Sequence, residues 1–146
     1  MKTHLLLAMG FCAAIGIFGT PSKLAAQESK DHQGHKEGES KIQIPDTRDG
    51  ILKEIDKHHQ ELADTVKAKK LSEVHEHAFA IRDLAKALPA KVNSDHKKMV
   101  ESAVKRVSQL AEDLDKSGDA GDQAKTEANL KKMDAALKAL EEHSSM

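Results

Sequence analysis

The chain has 146 residues, 32% of them charged, only 2% aromatic, and a formal net charge of −1 with histidine neutral. That balance argues against a nucleic-acid-binding protein, which needs a basic surface. The length suits one domain, and the lack of aromatic bulk suits an aliphatic, alanine-rich helical core better than a sheet.

Residues 1–26 read as a secretory signal peptide. Lys2 and His4 precede an apolar run from Leu5 to Phe18, and Leu24-Ala25-Ala26 supplies small residues before Gln27. The run is too short to span a bilayer comfortably, so no stable membrane anchor is expected. Cys12, the only cysteine, lies inside it. The remaining chain then has no thiol, which excludes disulfides, iron–sulfur clusters, thiolate zinc sites and C-x-x-C-H haem attachment. Loss of Lys2 and Lys23 makes the net charge about −3. The expected location is the periplasm or the outside of the cell.

Residues 27–45 show no hydrophobic period and read as a disordered tail carrying His32 and His35. Residues 46–146 hold four amphipathic patterns. The first helix is predicted from Thr47 to Lys69, with Ile51, Ile55, Leu62 and Val66 at helical spacing. Ser72 can cap a second helix ending at Leu88 before Pro89, with Val74, Ala78, Ile81, Ala85 and Leu88 as its stripe. Asn93-Ser94-Asp95 can cap a third, striped by Val100, Ala103, Val107, Leu110 and Leu114 and stopped by Gly118. The fourth starts near Asp119–Asp122, with Thr126, Leu130, Met133, Leu137 and Leu140 as its seam. Short connections between them predict an all-α, up-down-up-down four-helix bundle.

Nine histidines are the most informative feature. Imidazole is the commonest protein ligand for transition metals and titrates near neutrality. His75 and His77 project about 200° apart on a helix and cannot share an ion. His58 and His59 are about 100° apart, on either flank of the first stripe. Glu54 and Glu61 flank His58 at i−4 and i+3, as ordinary helix-face pairs would. With the first reversal near Lys70-Leu71, His77 is level with Asp64, and the histidines of the first helix lie about 12 Å below those of the second. A single four-histidine site between these helices is therefore not expected; two smaller sites, or none, are easier to build. His96 opens the third helix and His143 closes the fourth, so both belong at one end, where the tail with His32 and His35 enters. The candidate metal ligands are His96, His143, His32 and His35 first, then His77, His59, His58 and His75. Met99 and Met133 are expected in the core. Phe79, Arg82 and Asp83 lie off the main stripe of the second helix, as a partner face or an i,i+3 contact.

The layout from Leu62 through Val74 into the Ile81-Arg82 helix, the segment Ala-Leu-Pro-Ala-Lys-Val ending at Val92, and Gly118 before Leu130 resemble the soluble periplasmic four-helix b-type cytochromes. The resemblance places their haem ligands at Ile55 and Lys138, neither of which can serve, so haem binding does not carry over. The segment Leu71-Ser72-Glu73-Val74-His75-Glu76-His77-Ala78 is similar to the small histidine-rich secreted metal-binding proteins of proteobacteria, though without their dense histidine repeat. That resemblance implies binding of copper, nickel or zinc.

Three functions are open at this level. The first is a periplasmic metal-binding protein that buffers, delivers or confers resistance to copper, nickel, zinc or cobalt, partnered by a metal-efflux or electron-transfer protein. The second is a ligand-free interaction or adaptor bundle whose histidines tune solubility or sense pH. The third is a b-type cytochrome-like haem protein with altered ligands. No nucleophile–base pair, phosphate loop or acid pair points to an enzyme.

Overall fold

The computed structural model of the protein describes residues 42–146. The proposed signal peptide, Cys12, His4, His32 and His35 lie outside the described residues. The described chain forms an all-α four-helix bundle: α1 (Arg48–Lys67), α2 (Val74–Ala87), α3 (Ser94–Asp119) and α4 (Gln123–Ser145), with 3₁₀ turns at Leu71–Glu73 and Leu88–Ala90. Each helix packs on the next, and α4 closes back on α1. No helix among the described residues is long and apolar enough to cross a membrane.

Local chemistry explains the starts. Thr47 is the N-cap of α1, and its Oγ1 accepts from the Gly50 N–H at 3.1 Å. The Asp122 carboxylate does the same for α4, accepting from the Lys125 N–H at 3.0 Å. Ser72 does not cap α2: it lies inside the 3₁₀ turn, and Glu73 holds the cap position without a side-chain bond. α2 ends at Ala87, one residue before the expected Leu88, and Leu88 and Pro89 pass into a 3₁₀ turn, because the proline ring cannot continue the α-helix.

Both long reversals are Schellman motifs. After α1, Lys69 N–H donates to Val66 O and Lys70 N–H to Thr65 O. After α3, Gly121 N–H donates to Gly118 O and Asp122 N–H to Ser117 O. The left-handed residue is Gly121 (φ 66°) in the second and Lys69 (φ 59°) in the first. Gly118 is thus not the stop of α3. It is buried inside the helix, where a Cβ would stand 2.7 Å from the Leu71 carbonyl oxygen. Its role is to let α3 approach the Leu71–Glu73 turn.

The core is aliphatic. Ile51, Ile55, Leu62 and Val66 face Val74, Ala78, Ile81, Leu84 and Leu88, and Val100, Val107, Leu114, Met133, Leu137 and Leu140 complete it. Every apolar position expected on the first three stripes is buried. On α4 the seam is shifted: Leu130 is only half-buried, and Asn129 takes a buried place beside it. The Asn129 amide donates to Asp113 O at 3.0 Å, so the polar group is satisfied across the α3–α4 contact. Met133 is in the core, but Met99, expected there, is 40% exposed, because α3 turns its Val100 side inward instead. Ile42 packs against the core, so packing starts a few residues before Asp46.

The α1–α4 seam is fastened by polar groups at three heights. Gln123 donates to Val66 O, His59 meets Asp134, and Arg48 donates to Ser144 O. Phe79 and Arg82 form the i,i+3 contact: the guanidinium stacks 4.4 Å from the ring centroid, and its Nε donates to Asp83 at 2.8 Å.

Candidate metal centre

The apolar stripe of α1 has a gap. Ile55 and Leu62 are seven apart, and the helical position between them belongs to His58. His77 has a matching place on α2, three after Val74 and four before Ile81. Both imidazoles are therefore drawn into the α1–α2 contact. Their side chains are 17% and 23% exposed, and the ring centroids lie 5.8 Å apart.

Glu61 stands between them. Its Oε2 is 3.1 Å from His58 Nδ1 and 3.3 Å from His77 Nδ1. Donor atoms of the three residues all lie within 4.8 Å of one another, so the group could hold a metal ion. His58 Nδ1 is buried, and the Glu61 oxygen, though close, is out of line for a hydrogen bond, which leaves that nitrogen without a partner. A buried imidazole nitrogen without a hydrogen bond is costly, by about 1–3 kcal/mol. A bound ion would satisfy it. Tetrahedral donors about 2.0–2.1 Å from one zinc ion are roughly 3.3–3.4 Å apart, so both nitrogen–oxygen separations are near what coordination requires.

The chain reverses between the end of α1 at Lys67 and the start of α2 at Val74, around the expected Lys70-Leu71. His58 and His77 meet all the same: their ring centroids are 5.8 Å apart, and both side chains reach Glu61 across the α1–α2 contact. The expected offset of about 12 Å in height between the histidines of the two helices does not keep this pair apart. Glu61 was legible as a neighbour of His58 but not as a shared acid, because its second contact comes from another helix.

The other histidines stand apart from this group. His59 faces the opposite seam, where its Nε2 lies 2.6 Å from Asp134 Oδ1, beside a cleft of about 190 Å³ that Asp56, Lys138 and Glu141 also line. Nothing in the spacing of α1 alone could point to Asp134. His75 is exposed, on another side of α2 from His77 as its spacing requires. His96 and His143 are half-buried, each with a buried Nδ1 that has no hydrogen-bond partner. Neither belongs to a group of three potential ligands among the described residues. The haem-ligand positions of the cytochrome layout fall on Ile55, which is buried in the core, and on the exposed Lys138.

A larger cleft, of about 470 Å³, adjoins the triad through His58. It is lined by the segment Ile42–Asp46 together with Glu54, Lys57, His58 and Leu84.

The chain matches no protein-family model, no curated protein and no solved structure.

Proposed function

We propose that this protein is a metal-binding four-helix bundle that holds one divalent transition ion through His58, Glu61 and His77. The observation that carries the reading is the triad itself: two half-buried imidazoles from different helices converge on one carboxylate, and His58 Nδ1 has no hydrogen-bond partner. Two nitrogens and an oxygen without thiolate favour zinc(II), copper(II), nickel(II) or cobalt(II). With three protein ligands and partial exposure, the site suits an ion that is taken up and released, as in buffering or delivery. The leader-like residues 1–26 favour a periplasmic or secreted setting, in which a metal-efflux or other metal-handling protein is the natural partner.

The runner-up is a ligand-free bundle in which a protonated histidine, rather than an ion, sits against Glu61. The same short separations favour it. Calorimetric titration with the four ions separates the two. The metal reading predicts a dissociation constant in the micromolar range or tighter, weakened at least tenfold in His77→Ala. Binding no tighter than millimolar, or binding that His58→Ala and His77→Ala leave unchanged, would sink it.

A further inference from the structure

The packing of α3 on α4 brings His96 and His143 to one end of the bundle together with a third donor. The Asn129 amide, on α4, donates to Asp113 O, on α3, at 3.0 Å, which fixes the positions of the two antiparallel helices that face each other. Fourteen residues back from Asp113 is Met99, and fourteen on from Asn129 is His143. That step is about four turns at ~3.6 residues per turn, so both positions keep nearly the facing side of the contact. The reversal gives the same register: Met99 and His143 are equally many residues from Gly121, midway between the end of α3 and the start of α4. His96 lies one turn before Met99, on the line of Val100, Ala103 and Val107 that faces the core.

Both imidazoles are half-buried with a buried Nδ1 that has no hydrogen-bond partner, and the Met99 thioether is left 40% exposed on the level of His143. A methionine placed for packing is covered, as Met133 is. Two imidazoles and a thioether are all neutral donors, and no carboxylate completes a group of three with these histidines among the described residues. The charged neighbours in sequence are Asp95, Lys97, Lys98 and Glu142, two of each sign, so they do not offset the second charge of a divalent ion. A neutral donor set that includes thioether sulfur favours a soft monovalent ion. We infer that His96, Met99 and His143 form a second metal site, one that takes copper(I). It stands apart from the triad, whose carboxylate suits a divalent ion.

Silver(I), a redox-inert stand-in for copper(I), tests this on the full chain labelled with carbon-13 at the methionine methyl groups. The Met99 resonance, assigned by its absence in Met99→Leu, is expected to shift as silver is added. Silver affinity should be micromolar or tighter and should weaken at least tenfold in both Met99→Leu and His143→Ala. Met99→Leu replaces a partly exposed side chain by one of similar volume, so its thermal midpoint should stay close to that of the parent chain. A Met99 resonance unmoved at saturating silver overturns the site. So does silver affinity that is unchanged in Met99→Leu and His143→Ala, or that falls tenfold in His58→Ala instead, which would place the ion at the triad. The silver readout does not depend on zinc binding at the triad, so the two readings fail separately.

Discussion

His58 and His77 occupy places that an aliphatic residue would fill in a bundle built for stability alone. Their half-burial removes much of the water that would satisfy their nitrogens, and Glu61 supplies a charge that favours a cation between them. Removing one ligand should therefore weaken zinc or copper binding at least tenfold in His58→Ala, His77→Ala and Glu61→Gln, as read by calorimetry. Acid should act in the same direction. Protons compete with the ion for both imidazoles, so affinity should fall as pH is lowered, by up to about tenfold per pH unit for each histidine that must lose a proton. A pH-independent affinity would contradict ligation by these groups. His59 belongs to a different contact. Its pairing with Asp134 is partly exposed, so His59→Ala should cost about 1 kcal/mol or less in urea unfolding and leave metal affinity unchanged.

At the scale of elements, the register of α1 against α2 decides whether the triad exists, and Lys69 closes α1 in the left-handed region. A lysine in the left-handed region is strained by about 1–2 kcal/mol where glycine is not. Lys69→Gly should raise the unfolding free energy by about 1 kcal/mol, measured from denaturant midpoints, and preserve the triad. Gly121 is the converse case: Gly121→Ala meets no neighbour but must keep φ near 66°, so it should lower stability by about 1 kcal/mol. At Gly118 the cost is contact rather than conformation. A methyl group there would press on the Leu71 carbonyl and force α3 away from the turn, with an expected loss of about 1–3 kcal/mol. The stripes of α1, α2 and α3 were legible because apolar residues at helical spacing have one way to be buried. The α4 seam was less so, since the buried Asn129 is tolerated only through its bond to Asp113 O, an acceptor on another helix.

For the whole molecule, an ion at the triad would clasp α1 to α2 across the core. Binding to the folded state alone stabilises it by about 2.7 kcal/mol at a free metal concentration one hundred times Kd. In a domain of this size that is roughly 10 °C or more in Tm. Thermal unfolding of the full chain with and without zinc should show this rise, and His77→Ala should abolish most of it. An unchanged Tm under saturating metal would favour the ligand-free bundle. The core is continuous through all four helices, and the α1–α4 seam is closed by its own polar ties.

The amino-acid sequence alone determined the helical class, the number of helices and most of the buried faces. Those depend on periodicity and on local signals such as Thr47, Asp122 and Pro89, which act over a few residues. It also singled out histidine as the chemistry worth following. Only the tertiary structure decided which histidines meet. Helical spacing gives each histidine a direction and a height on its own helix, but not how far its side chain reaches toward the next helix, and Glu61 is shared only through that reach. Hence the adjacent pairs His58-His59 and His75-x-His77 each divide between separate surfaces, while His58 and His77, from different helices, come together on Glu61.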